Sequence, residues 1–182
     1  MSRNEVVFKN GDRYEGELAN QQPHGKGKYL FQDGSKFTGE FALGLFHGHG
    51  HLLDTFSDIS IQGHFIEGQA HGNCKVAYPD GSTYQGNMEG GYREGNGTLN
   101  FGPSSPFKTY KGSFSQDELE GQGELVLRDG TVFLGKFQAG VPHGDIEITH
   151  QDYSYVGSIR KGVVEGKGSI RYSSGDLYEG CF

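Results

Sequence analysis

The densest group of potential ligands in the chain is the run His47-Gly48-His49-Gly50-His51, followed shortly by His64. Imidazole is the commonest transition-metal ligand, and three rings within about 7 Å can hold Zn²⁺ or Cu²⁺ with a coordination position left open. On an extended chain His49 and His51 project to one side. If Gly50 faces Gly63 on a neighbouring strand, His49 lies directly across from His64. His49, His51 and His64 are therefore the candidate metal ligands, and the plainer reading is a set of solvated polar-face histidines. No carboxylate is fixed beside them by the spacing, so they suggest no catalysis. His24, His47, His71 and His143 form a second set, each directly before a recurrent glycine, where Glu94, Glu120 and Glu165 stand elsewhere. Equivalent positions two strands apart are separated by about 10 Å, too far to share an ion at about 2 Å from each ligand. These groups are expected to hydrogen-bond their own loops.

Other chemistry is sparse. The chain has no GxSxG, CxxC or HExxH pattern, and its glycine-rich runs lack the Lys-Ser/Thr pair that opens a phosphate-binding helix. A non-catalytic protein without cofactor is the expectation. Cys74 and Cys181 are the two cysteines. A separation of about nine strands, roughly 40 Å, excludes a disulfide between them in a flat array.

The elements that must carry these side chains are announced by composition. Glycine supplies 32 of 182 residues and tryptophan none, while Phe and Tyr together number 23. That is too much glycine for an ordinary layered core and too many rings for a disordered chain. The net charge is −7, from 16 basic and 23 acidic residues, with no basic block to release counterions from nucleic acid. No apolar N-terminal segment and no stretch of about 18 apolar residues occurs. A cytoplasmic protein without nucleic-acid partners is expected.

Self-comparison supplies the organisation. An aromatic or aliphatic residue stands two positions before a glycine at Tyr14, Phe37, Ile61, Tyr84, Tyr110, Phe133, Tyr155 and Tyr178, in steps of 23, 24, 23, 26, 23, 22 and 23 residues. Two positions after each glycine comes Leu18, Phe41, Phe65, Met88, Phe114, Phe137, Ile159 or Phe182, a period-2 strand signature. Seven residues further, every complete repeat has another glycine: Gly25, Gly48, Gly72, Gly95, Gly121, Gly144 and Gly166. A second alternating strand follows, and the variation in period falls in the return connection. One edge is constant and the other variable.

Turn chemistry sets the register. Asn10-Gly11, Asp33-Gly34, Asp80-Gly81, Asp129-Gly130 and Ser174-Gly175 are hairpin signals on the return side. Pro79-Asp80-Gly81 favours a three-residue turn, with proline at its first position and glycine in the left-handed third. That turn pairs Tyr29 with Phe37, Gly27 with Gly39, Val6 with Tyr14, Val76 with Tyr84, Leu125 with Phe133 and Ile170 with Tyr178. A two-residue turn would put the aromatic sets on opposite faces. The prediction is a meander of about sixteen strands, a ribbon about 70 Å long at roughly 4.8 Å per strand, with rings lying over glycines.

The segments YEGEL from Tyr14, FTGEF from Phe37, YQGNM from Tyr84 and YKGSF from Tyr110, with the following HGKG, HGHG, EGNG and EGQG, resemble MORN repeats (membrane occupation and recognition nexus). The usual YxGxW tryptophan is Leu, Phe, Met or Ile here, and Ile146 replaces the second glycine of one repeat. The resemblance implies an all-β fold, an elongated single-layer antiparallel sheet of tandem hairpins. It covers residues 1–182 as one array, with full repeats starting near 14, 37, 61, 84, 110, 133 and 155 and partial ones at 5–13 and 178–182. It also implies a scaffold or adaptor with a cytoskeletal or ciliary setting.

In a sheet one layer thick, nothing in the same chain covers the aromatic stripe. Phe37, Phe41, Phe65, Tyr84, Tyr110, Phe114, Phe133, Phe137 and Tyr155 are therefore the expected partner contacts, a groove for an amphipathic helix or extended segment. Strand edges without capping elements at Val6-Val7-Phe8 and Tyr178 to Phe182 are expected to pair with another copy, as a homodimer. The alternative is a phospholipid-binding, peripheral membrane targeting module. Its best basic cluster, Arg160, Lys161, Lys167 and Arg171, is interleaved with Glu165.

Overall fold

The computed structural model describes residues 4–182, and they form strands and turns without a helix. The strands are β1 (Asn4–Val7), β2 (Arg13–Ala19), β3 (Gln22–Leu30), β4 (Lys36–Ala42), β5 (Leu45–Asp54), β6 (Ile59–Ile66), β7 (Gln69–Ala77) and β8 (Thr83–Glu89), followed by β9 (Tyr92–Asn100), β10 (Phe107–Ser115), β11 (Glu118–Leu127), β12 (Val132–Gln138), β13 (Val141–Thr149), β14 (Tyr153–Arg160), β15 (Val163–Tyr172) and β16 (Leu177–Cys181). They make one open antiparallel sheet in which spatial order is chain order.

The return hairpins with an Asn-Gly, Asp-Gly or Ser-Gly turn have the register that a three-residue turn imposes, whereas β5–β6 (Asp54 facing Ile59) and β13–β14 (Thr149 facing Ser154) have loops of even length. Tyr29 faces Phe37 and Gly27 faces Gly39, Val6 faces Tyr14, Val76 faces Tyr84, Leu125 faces Phe133 and Ile170 faces Tyr178. Gly34, at φ 91°, donates its N–H to Phe31 O at 3.1 Å, and Phe31 N–H reaches Ser35 O at 2.9 Å. The residue before the glycine locks the turn, as Asp33 Oδ1 accepts Ser35 N–H at 2.8 Å and Asp129 Oδ1 accepts Thr131 N–H at 2.8 Å. The longest return connection is pinned instead by Arg128, whose Nε donates to Ser105 O and Nη2 to Gly102 O, both at 2.7 Å.

The constant edge is built differently. Each turn has two central residues of positive φ, such as Leu43 (51°) with Gly44 (83°) and Ala139 (48°) with Gly140 (80°), the type I′ geometry whose twist matches that of strands. Within the hairpins β2–β3, β4–β5, β6–β7, β10–β11, β12–β13 and β14–β15 the register slips by two. Gly16 faces Gly27 but Glu17 faces His24, and Gly39 faces Gly50 but Glu40 faces His47. The extra residues begin with the constant glycine, which takes positive φ at Gly25, Gly48, Gly72, Gly95, Gly121, Gly144 and Gly166. Each turn is also tied to the hairpin before it: Gly44 N–H bonds Pro23 O at 3.0 Å, Gly68 N–H bonds Phe46 O at 2.9 Å, and Gly140 N–H bonds Leu119 O at 3.1 Å.

The chain divides between Tyr92 and Arg93 into two compact units. In the first, Tyr14, Phe37, Phe41, Phe65, Cys74, Val76, Tyr84 and Met88 are buried. In the second, Leu99, Tyr110, Phe114, Leu125, Phe137, Ile146, Ile148, Tyr155 and Ile159 are buried.

Candidate interaction surface

The aromatic stripe is the interior of the protein. Phe37, Phe41, Phe65, Tyr84, Tyr110, Phe114, Phe137 and Tyr155 are only 0 to 3 % exposed, and Phe133 is half-buried beside Ile146, Ile148 and Tyr155. The uncovered lane expected from a one-layer sheet is thus absent at these positions, for a reason local to the repeat. The first-strand rings of Tyr14, Phe37, Tyr110, Tyr155 and Tyr178 lie along their own glycines, and where the residue four on is also a ring it closes over the first edge-on. Phe37 meets Phe41 with centroids 5.2 Å apart at 87°, and Tyr110 meets Phe114 at 5.2 Å and 89°. The corresponding ring of the next repeat closes the other side: Tyr14 with Phe41 at 5.1 Å, Phe37 with Phe65 at 5.0 Å, Tyr110 with Phe137 at 5.1 Å. Neighbouring repeats shelter one another, so no second layer is required. The glycines are obligatory at this approach. A Cβ on Gly112 would stand 2.6 Å from the backbone of both Gln122 and Gly123.

Each tyrosine of the stripe satisfies its hydroxyl three residues on. Tyr14 donates to Glu17 O at 2.8 Å, Tyr84 to Asn87 O at 2.7 Å, Tyr110 to Ser113 O at 3.0 Å and Tyr155 to Ser158 O at 3.1 Å. Burial and then the Glu120 charge push Tyr110 up to about 12, and burial raises Tyr155, so both phenols stay protonated donors at neutral pH. Tyr29 is pushed up to about 12 by burial and by its hydrogen bond to Asp12 at 2.8 Å. For Asp12, burial acts to raise the carboxyl, but hydrogen bonds from Tyr29, Gln32 N–H and Asn10 together hold it below its ordinary value.

Two repeats break the ring-on-glycine rule and compensate. Ile61 stands where a ring is usual, and Cys74 replaces the second-strand glycine. Sγ of Cys74 then lies over Gly63 and faces His64 O at 3.8 Å and His71 O at 3.6 Å. These carbonyls correspond to Glu17 O and His24 O, the two that the Tyr14 hydroxyl reaches. Burial raises the Cys74 thiol, keeping it protonated for this role. In the repeat of Phe133, Ile146 fills the glycine position and packs against Gly135. Both cysteines are free thiols.

The opposite face carries the polar side chains. In the first unit Glu15, Glu17, Lys26, Lys28, Thr38, Glu40 and His49 wall an open depression of ≈ 660 Å³ with Gly16, Gly27 and Gly39 in its floor. Directly opposed residues run Glu15–Lys28, Lys28–Thr38, Thr38–His51, His51–Gln62 and Gln62–Lys75 along successive strands. The row thus sets an acid beside a lysine at one end and continues through hydroxyl, imidazole and amide groups to a second lysine. Phe56, 93 % exposed, tops a separate return turn that Asp54 fixes by accepting Phe56 N–H at 2.9 Å and the Ser57 hydroxyl at 2.7 Å.

The histidines fall partly as the spacing requires. His49 faces His64 across β5 and β6, with ring centroids 5.4 Å apart. His51 faces Gln62 and its Nε2 is 2.9 Å from Ser60 Oγ, which removes it from the expected trio. Among the described residues no three His, Cys, Asp or Glu side chains converge on one metal position. In the basic cluster, Arg160 pairs with Glu165 at 2.6 Å. Among the described residues no helix is long and apolar enough to cross a membrane.

The match to a family model agrees with this architecture. The MORN repeat model matches residues 14–36, 37–54, 62–83, 84–103, 110–132 and 155–177, well over half of the chain. Alsin from Rattus norvegicus is 35 % identical over 81 residues, covering 41 % of this chain and 5 % of that protein. Alsin from Homo sapiens is 32 % identical over 80 residues, with the same shares of 41 % and 5 %. The chain thus spans about 5 % of the length of these curated relatives. A solved structure, the TCP domain of SAS-4 (dCPAP) in complex with a proline-rich motif of Ana2 (dSTIL) of Drosophila melanogaster, aligns with TM-score 0.47 and 14 % identity over 97 % of this chain and 88 % of that one. With its tandem hairpins, ring-on-glycine packing and six matched repeats, the chain belongs to the MORN-repeat family.

Proposed function

We propose that this chain is a non-catalytic scaffold or adaptor that holds an extended or helical protein segment on the polar face of its sheet. MORN repeats are typically modules for interaction with proteins or membranes. The observation that carries the reading is the division of labour between faces: the rings are consumed by packing, while the ordered rows of Glu, Lys, His and amide side chains are left to solvent around the depression at Lys26 and Lys28. A partner carrying both acidic and basic groups fits the mixed Glu and Lys lining of the depression, and its specificity would come from matched polar contacts. A cytoplasmic, cytoskeletal or ciliary setting belongs to the same proposal, with the family resemblance as its support.

The test is cross-linked capture from cell extract, read by mass spectrometry, with the double variant Lys26→Glu, Lys28→Glu beside the wild type. Both side chains are exposed, and because the change sets like charges opposite Glu40 and Glu15, a circular dichroism melt checks that the variant is folded. Loss of a specific captured protein supports the polar face, and unchanged capture refutes it. Binding of the wild type to anionic vesicles at low salt, with no protein captured, would favour the lipid-targeting alternative.

A further inference from the structure

The histidine-bearing patch around His64 has no part in the core and goes beyond the scaffold reading. His64 stands at the centre of three strands. Across β5 it faces His49, and across β7 it faces His71. The two-residue slip that begins at Gly48 brings His47 to the same neighbourhood, with ring centroids 6.3 Å from His64 and 5.4 Å between His49 and His64. Two imidazoles bound to one ion, at metal–nitrogen distances of about 2 Å, have centroids roughly 4.5 Å apart when at right angles, about 5 Å when tetrahedral and about 6.3 Å when trans. The His49–His64 separation lies within that span, and the His47–His64 separation stands at its outer limit. The carboxylate of Glu40 adds negative charge here, as its carboxyl carbon would lie 2.8 Å from a Cβ placed on Gly48, between His47 and His49.

From this placement we propose that His49 and His64 form an open cross-strand chelate for a divalent ion of the imidazole-preferring class, Cu²⁺, Ni²⁺ or Zn²⁺. His47 supplies a third donor after a side-chain rotation, and water fills the remaining positions. The rotation reconciles the site with the lack of a converged trio among the described residues. A hard ion such as Mg²⁺ or Ca²⁺ would be ignored, since it selects oxygen donors.

Calorimetric titration of the whole chain with CuCl₂, NiCl₂ and ZnCl₂ separately tests the site, with MgCl₂ as the blank. The expected result is one equivalent of transition metal bound, with a rise in melting temperature because the ion joins β5 to β6 in the native state alone. His49→Gln and His64→Gln should each weaken binding at least about tenfold, and His47→Gln should weaken it less. His51→Gln and the distant His143→Gln should leave it unchanged. Unliganded melting curves check that every variant folds, and a variant that fails is replaced by the Asn form. Absence of one-to-one binding, retention of affinity in the His49→Gln, His64→Gln double variant, or dependence on His51 would each overturn the proposal.

Discussion

At the residue scale, the repeat works as an exchange between ring and backbone. A tyrosine needs glycine on two strands to lie flat, and its hydroxyl must find a carbonyl. The Ile61–Cys74 pair meets both demands by other means, with a smaller aliphatic side chain on one strand and a thiol on the next aimed at the same carbonyls. The pair should behave as a unit. Ile61→Tyr alone is expected to cost about 2 kcal/mol, because the ring would meet Sγ over Gly63. Cys74→Gly alone should cost about the same through the space it leaves. Together they should restore near wild-type stability, a coupling readable as non-additivity in urea unfolding. Additive losses would show that the two positions are independent.

This scale also shows where the sequence was informative and where it was not. The spacing of rings and glycines predicted the lane and its floor. Its burial was not legible, because the covering groups are Phe41, Phe65, Phe114 and Phe137, whose spacing fits an exposed stripe equally well. The signal available was the offset of four residues between each first-strand ring and the next apolar residue, which sets them edge to face on one side of a strand. The pairing of His49 with His64 followed from the glycine register, but the turn of His51 toward Ser60 depends on a side-chain choice that spacing does not encode.

At the scale of the element, the two hairpin edges had unequal legibility. The return turns at Asp33-Gly34-Ser35, Asp80-Gly81-Ser82 and Asp129-Gly130-Thr131 carry their own signature, and their register followed from it. The constant turns carry only half of one, a glycine at the second central position in five of them: Gly44, Gly68, Gly91, Gly140 and Gly162. Leu43, Glu67, Ala139 and Lys161 all sit at positive φ, a conformation ill suited to such side chains, and it is the flanking strands and the bonds to the preceding hairpin that hold them there. The return turns predict an acid response. The Thr131 N–H holds the Asp129 carboxyl below its ordinary 3.8, and the Ser82 N–H does the same for Asp80. A folded value below the unfolded one stabilises the native state fully above 3.8, and that contribution fades as pH falls through 3.8 and below. Stability measured by denaturant melts should therefore drop from pH 5 to 3, and the drop should be shallower in an Asp80→Asn, Asp129→Asn variant. An equal slope would remove these turns from the acid response.

At the scale of the whole molecule, every strand finds its partners immediately before and after it in the chain. Excising one entire period, residues 110–132, should therefore leave a folded protein. The cut joins Thr109 to Phe133, preserving the alternation of faces and bringing ring and glycine positions back into phase. A β-type circular dichroism spectrum with a melting point lowered by several degrees is expected. Loss of cooperative melting would mean that distant repeats depend on one another. The near-constant period that made the array recognisable also makes this cut tolerable.

The chain-order sheet bears finally on how such a protein is made. A strand leaving the ribosome meets its first partner already synthesised and receives its second a few seconds later, so no apolar ring waits long for cover. Growth by addition at one edge lets an unfinished chain be a shorter version of the finished one, and the number of repeats can change between proteins without a new folding problem being solved each time.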